Sequence, residues 1–240
     1  MCTPDRPTFR RFAGGIFLAL TLVIAGGGCS GNSSSDVEKL DPDGTNDRSV
    51  VVALGDSITF GVLTIDAASC DESNRGAAGF CPPLQAISGK TVVNAGICGD
   101  DSFGGVNRIN RVLQRFRPSV ILIDYSPNDI FNGPHALISN LKIMIDAARQ
   151  NRTVPILGTL IPTAGYHAGW DPFIDTVNPM ILALCDQEGL ECADHHKAFE
   201  SDPGFMASPY ALLLEDGLHP NHTGSALMAE TWNRALRRVY

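Results

Sequence analysis

The run Val50-Val51-Val52-Ala53-Leu54, stopped by Gly55, limits the fold more than any other feature of the chain. A strand with no polar face must be covered on both sides. Val120-Ile121-Leu122-Ile123 repeats the pattern, and Thr91-Val92-Val93 is a shorter version. Val154 to Leu160 is a fourth candidate, interrupted by Pro155, and Leu190 to Ala193 a fifth. Helical periodicity fills the gaps. Val106, Ile109, Val112, Leu113 and Phe116 share one face of a helix that ends by Pro118. Pro134 suits the first turn of the next, which is lined by Leu137, Leu141, Met144 and Ala148. Asp171-Pro172 opens a third that Gly189 stops, and the last helix carries Met228, Trp232, Leu236 and Val239. Strands alternating with helices predict an α/β fold with a parallel sheet covered on both faces.

The start of the chain reads differently. Arg6, Arg10 and Arg11 precede an apolar stretch from Phe12 to Ala25, followed by Gly26-Gly27-Gly28-Cys29. The stretch is shorter than the ~20 residues that span a bilayer comfortably, and its small-residue exit suits a cleavage site. The residues before Cys29 resemble a bacterial lipobox, although Gly26 stands where Leu is more usual. Residues 1–28 are therefore expected to be a signal peptide of lipoprotein type, with Cys29 lipidated. An ordinary secretory signal is the alternative. Residues 29–48, rich in Ser, Asp and Gly, read as a flexible tether, and residues 49–240 as one compact domain. The expected location is the cell envelope, anchored by lipid to the periplasmic face of the outer membrane, or otherwise secreted.

The chain has a net charge of −8, and loss of residues 1–28 would make it more negative. An acidic surface without basic clusters argues against nucleic acid as a partner. A monomer is expected. Of seven cysteines, Cys70, Cys81, Cys98, Cys185 and Cys192 would remain in the mature domain, in a compartment that permits disulfides. Closeness in sequence favours Cys70–Cys81 and Cys185–Cys192, although spacing alone settles no connectivity. Cys98 is expected to fill space as a small apolar residue.

Ligands of parallel sheets bind beyond the carboxyl ends of the strands, and chemistry-bearing residues gather there. Gly55-Asp56-Ser57-Ile58-Thr59 follows the first strand, Asn94-Ala95-Gly96-Ile97-Cys98-Gly99-Asp100 the second, and Ser126-Pro127-Asn128-Asp129 the third. Asp216-Gly217-Leu218-His219-Pro220-Asn221 precedes the last helix. A serine hydroxyl needs a base to become a nucleophile, and His219 can serve. Asp216, three residues earlier, can hold the imidazole in one tautomer. The backbone N–H groups of Ser57 and Gly99 and the amide of Asn128 can face a developing oxyanion. Asp129 reads as a structural acceptor beneath the site, and Tyr166, His167 and Trp170 stand at the same edge.

These segments, in this order from Val50 to Gly224, resemble the SGNH (GDSL) hydrolase family, most closely its bacterial thioesterase I/lysophospholipase L1 branch. The resemblance implies a flavodoxin-like three-layer sandwich with a five-stranded parallel sheet of order 2-1-3-4-5, and a cofactor-free and metal-free acyl-ester mechanism. It assigns Ser57 as nucleophile, Asp216 and His219 as its partners, and Ser57, Gly99 and Asn128 as oxyanion donors. Pro127 departs from the family, which has Gly before the Asn. Small-molecule or lipid esters are the expected substrates, with a carbohydrate O-acetylesterase or a catalytically silent lipid- or glycan-binding lipoprotein as rivals. His222 and the Asp194-His195-His196 run invite a metal reading, but they are expected to be surface or capping residues, since no set with zinc-ligand spacing forms without taking His219.

Overall fold

The computed structural model describes residues 46–62, 64, 70–125 and 127–240. The expected signal peptide, Cys29 and most of the 29–48 tether lie outside the described residues. Five strands, β1 (Asp47–Gly55), β2 (Thr91–Gly96), β3 (Pro118–Asp124), β4 (Val154–Gly158) and β5 (Cys192–Ala193), pair in parallel in the order β2-β1-β3-β4-β5. The expected topology is thus present. The helices are α1 (Ser57–Phe60), α2 (Cys81–Ser88), α3 (Ser102–Phe116), α4 (Pro134–Gln150), α5 (Asp171–Glu188), α6 (His195–Glu200), α7 (Pro203–Ala207) and α8 (His222–Val239).

The period-two alternation of a strand sorts the apolar residues into two cores. Val51, Ala53, Val120, Leu122 and Ile156 face one way and pack with Leu84 of α2 and Met228, Trp232 and Leu236 of α8. Val52, Leu54, Ile121, Ile123 and Leu157 face the other way, against Ile109 and Leu113 of α3, Leu141 and Met144 of α4, and Ile181 of α5. Val51 to Leu54 and Val120 to Ile123 have no exposure at all, so each larger side chain contributes about 1.5–3 kcal/mol of burial. That is why β1 and β3 hold the middle of the sheet.

Register decides where the site can form. Gly55 pairs with Gly96 on one side and Asp124 on the other, so three strands end at one level. Backbone approach there is very close. A Cβ on Gly55 would lie 2.0 Å from the Asp124 carbonyl oxygen, and one on Gly96 would lie 2.2 Å from the Phe60 nitrogen. Only glycine fits at either strand end, and α1 seats directly against both.

The structure corrects three expectations. Cys70 bonds to Cys98, with Cα atoms 6.0 Å apart, while the Cys185–Cys192 bridge forms as expected. Cys98 is therefore a half of a disulfide, not apolar filling. In the segment between Cys70 and Cys81, a 3-10 turn at Glu72–Asn74 and a bond from Gly76 N–H to the Phe60 carbonyl (3.1 Å) fold the chain back onto α1. Cys81 then opens α2 with its side chain inward, Sγ lying 3.4 Å from Asn94 Nδ2, and burial pushes its thiol far up, so it stays protonated. Third, His195 is wholly buried, its ring 4.7 Å from that of Trp232. Burial, with a smaller push from the Arg234 charge, lowers its pKa to about 3. Asp194 is the N-cap of α6, accepting from Lys197 N–H, and His196 lies 3.3 Å from Glu200. The three side chains thus turn to different partners.

Candidate active site

The acid–base half of the site is built by one tight turn. Leu213 and Pro220 form an antiparallel bridge, and Gly217 N–H closes on the Leu214 carbonyl at 2.9 Å. Gly217 takes φ +69° and packs so closely on Ala164 that a Cβ would lie 2.1 Å from its carbonyl oxygen. Asp216 both holds the turn and pairs with the imidazole. Its Oδ1 accepts from the N–H groups of Leu218 (2.9 Å) and His219 (3.1 Å), and its Oδ2 lies 2.6 Å from His219 Nδ1. Burial would raise this carboxyl, but those hydrogen bonds outweigh it and hold the pKa down at about 2. Asp216 is thus a carboxylate near neutrality, and Nδ1–H of His219 donates to it. The tautomer follows: Nε2 keeps its lone pair and faces Ser57 Oγ at 2.8 Å.

Ser57 reaches that point because α1 begins on it. Asp56 caps the helix, its side chain accepting from Ile58 N–H at 2.9 Å, and Gly61 in the left-handed region ends it after one turn. The nucleophile candidate therefore sits at a helix start, immediately past the central strand, and is nearly buried.

The oxyanion-donor candidates lie on the neighbouring strand ends. Gly99 follows β2 with φ +73°. Asn128 lies in the 3-10 turn Pro127–Phe131 after β3, and its Nδ2 donates to the Asp100 carbonyl at 2.8 Å. That bond ties the Asn128 turn to the Gly99 loop and uses one of the two amide hydrogens, leaving the other for a substrate oxygen. Beneath them, Asp129 accepts from Ser102 N–H (3.0 Å) and Ser102 Oγ (2.6 Å), and Asn140 Nδ2 donates to the same hydroxyl.

Two further positioning contacts depend on the folded arrangement and carry no local sequence signal. Arg108, on α3, donates to the Gly55 and Ala95 carbonyls, to Tyr125 Oη and to Asp100 Oδ2 at 2.6–3.0 Å. Its helical face was visible, its reach beneath the strand ends was not. His167 is more than an edge residue: its Nδ1–H donates to the Asp216 carbonyl at 2.8 Å, and its ring stacks edge-on with Tyr166 and Trp170.

Residues 53–227 match the GDSL-like Lipase/Acylhydrolase family. Among curated proteins, Thioesterase 1/protease 1/lysophospholipase L1 of Escherichia coli is 24% identical over 152 residues, 61% of this chain and 67% of that protein. Esterase TesA of Pseudomonas aeruginosa is 38% identical over 136 residues, 54% of this chain and 61% of that protein. The match thus spans about two thirds of such relatives. Among solved structures, the lipase/acylhydrolase from Enterococcus faecalis superposes with a TM-score of 0.67 at 23% identity, covering 80% of this chain and 96% of that one. A catalytic mutant of an acetylxylan esterase from Geobacillus stearothermophilus does so with 0.64 at 18% identity, covering 80% and 95%.

A second carboxyl lies under the nucleophile turn in the opposite environment. Asp124 ends β3, is buried, and accepts from Thr59 Oγ1 at a long 3.4 Å. Burial, then the charge of Asp56, raises its pKa to about 8. The folded state therefore binds a proton that the unfolded chain releases near pH 4, so this group lowers stability progressively as pH rises from about 4 to 8. Asp124→Asn cannot titrate. Relative to wild type, its urea midpoint should improve between pH 6 and pH 9; an unchanged difference across that range would show that Asp124 does not hold the proton.

Proposed function

The chain belongs to the GDSL-like lipase/acylhydrolase family and is an ester-hydrolysing serine hydrolase, and on that premise we propose Ser57 as its nucleophile, His219 as general base and Asp216 as the group that orients the base. The unbroken line from Asp216 Oδ2 through the His219 ring to Ser57 Oγ, at 2.6 and 2.8 Å, carries this reading. His219 Nε2 takes the hydroxyl proton as Oγ attacks the ester carbonyl. The oxyanion so formed is met by the N–H groups of Ser57 and Gly99 and the free amide hydrogen of Asn128. Protonated His219 then gives its proton to the departing alkoxide; a water molecule, deprotonated by the same nitrogen, attacks the acyl carbon, and His219 returns that proton to Ser57 Oγ as the acid leaves. Asp216 remains ionised throughout, stabilising the imidazolium.

The substrate class we propose is carboxylic esters with an apolar acyl chain, lysophospholipids or simple lipid esters. What supports it is where the fold leaves large apolar side chains in water. Ile97 and Phe103 stand after β2, Phe131 after β3 and Tyr166 after β4, all at the catalytic end of the sheet. Phe131 is 89% exposed and Tyr166 93%, although burial would favour both. The Escherichia coli relative includes lysophospholipase in its name. A carbohydrate O-acetylesterase is the second reading, drawn from the acetylxylan esterase with the same fold. We further propose export by residues 1–28 and anchoring through a lipid on Cys29, supported by the arginine, apolar and small-residue order that precedes it.

Three outcomes test the proposal. A fluorophosphonate should label wild type and miss Ser57→Ala, which should lose ester hydrolysis while keeping its fold; labelling at another residue, or turnover by the variant, removes Ser57 from its role. In a chain-length series of p-nitrophenyl esters run beside an acetylated sugar, Phe131→Ser and Tyr166→Ser should each lower kcat/KM for octanoate by about threefold to tenfold, the scale of partly lost aromatic burial. The acetate rate should hardly change, and equal losses on both would reject the acyl-chain reading. Radiolabelled palmitate should enter the full chain but not Cys29→Ser; incorporation in both, or in neither, excludes lipidation there.

A further inference from the structure

The Cys70–Cys98 bridge joins two segments that the chemistry needs in register. Cys98 immediately precedes Gly99, the proposed oxyanion donor. This loop is fixed at its two ends: Ile97 N–H donates to the Gly55 carbonyl at 3.0 Å, and Asp100 is held by Arg108, Tyr125 and Asn128. Among the described residues, the hydrogen bonds of the loop fall on Ile97 and Asp100. Between them Gly99 is exposed, has φ +73°, and would meet nothing within 4 Å if it carried a Cβ. Asp100 N–H closes back on the Ile97 carbonyl at 3.2 Å, so a turn spans Cys98 and Gly99, and the disulfide adds a covalent hold on Cys98.

The other half of the bridge is tied to the nucleophile helix. From Cys70 the chain runs through the 3-10 turn to Arg75, whose guanidinium lies 5.8 Å from the Phe60 ring centre, and to Gly76, whose N–H donates to the Phe60 carbonyl. Asn94, at the root of the Gly99 loop, donates to the Thr59 carbonyl at 2.6 Å. Phe60 and Thr59 belong to α1, the helix that Ser57 begins. The path Ser57, Phe60, Gly76, Cys70, Cys98, Gly99 thus ties the Gly99 loop to the helix that carries Ser57. Cys70 is exposed and Cys98 half-buried, so a reductant can reach the bond. The second bridge, with Cys185 buried, joins α5 to β5 at the far edge of the sheet.

We propose that Cys70–Cys98 is a positioning cross-link of the ester-hydrolysing site, holding the Gly99 N–H where the oxyanion forms, so that its reduction by a dithiol lowers turnover while the fold persists. This rests on the Ser57 reading above. In the reduction, one thiolate of the dithiol attacks a bridge sulfur and releases the other cysteine as a thiolate. The second thiol of the dithiol displaces the first cysteine; the dithiol ends as a cyclic disulfide, and Cys70 and Cys98 end as two thiols carrying its two electrons.

The test uses the Cys185→Ser/Cys192→Ser protein, which retains only the bridge in question, with p-nitrophenyl acetate as substrate. After dithiol treatment, with alkylation and mass spectrometry confirming free Cys70 and Cys98, kcat should fall about 10- to 100-fold, less than outright loss of a donor brings. KM should stay within about twofold, near-UV circular dichroism should persist, and reoxidation should restore kcat. Adding Cys98→Ser should give the low kcat from the start, insensitive to dithiol. Full kcat with both thiols free, a rise in KM alone, or collapse of the near-UV signal with kcat would each overturn the proposal. Failure of the Ser57 reading shows up differently: the oxidised protein would then lack fluorophosphonate labelling at Ser57 before any reductant is added.

Discussion

The level ending of three buried strands is the constraint on which the rest of this structure depends. β1 is apolar through Leu54 and must lie between covered neighbours, so β2 and β3 flank it in register. Parallel strands ending together leave carbonyls with acceptor capacity to spare beyond the ladder. Arg108 uses that capacity. Its guanidinium accepts nothing and has donors to spare, and it bonds the Gly55 and Ala95 carbonyls while pairing with Asp100. The same Asp100 offers its backbone carbonyl to Asn128. Closing the sheet edge and aligning the candidate oxyanion donors are one set of bonds.

Two carboxyls near Ser57 show how this fold separates charge states with one residue type. Asp216 stands on a hairpin turn, where three donors converge on its oxygens, and remains ionised to about pH 2. Asp124 sits under the strand ends with, among the described residues, one weak donor and a neighbouring Asp56, and keeps its proton to about pH 8. The difference lies in hydrogen bonds, not in burial alone, since burial pushes both upward. An ionised Asp124 would add its charge to that of Asp56 below the Ser57 turn; a protonated one avoids that repulsion.

What was legible in the sequence was whatever depends on local pattern. Continuous apolar runs disclosed the strands, Pro118 and Gly189 the helix limits, and the Asp216-to-His219 spacing a single turn that holds both groups. What was not legible depends on where a side chain points after folding. Cys81 lies nearer Cys70 in sequence than Cys98 does, yet helix α2 turns its sulfur inward, and the three-dimensional neighbour is Cys98. His195 sits among polar residues in a run that reads as surface, and only the approach of α8 with Trp232 buries it. Arg108 repeats the lesson: periodicity places it on α3, but the strand carbonyls it serves come from distant parts of the chain.

Pro127 follows the same logic, although it departs from the family pattern. Glycine before the Asn would leave that backbone free, whereas proline fixes φ near −65° and removes an N–H. Both losses matter only where the chain needs another φ or a donor. Here Pro127 opens the 3-10 turn Pro127–Phe131, a position where the N–H has no partner within the turn and where the proline φ is already close to helical. It is also buried, so the ring fills space that glycine would leave empty. The turn then delivers Asn128 to the Asp100 carbonyl at 2.8 Å. Proline thus presets the backbone from which the Asn128 amide projects, at a site where loss of flexibility costs no hydrogen bond.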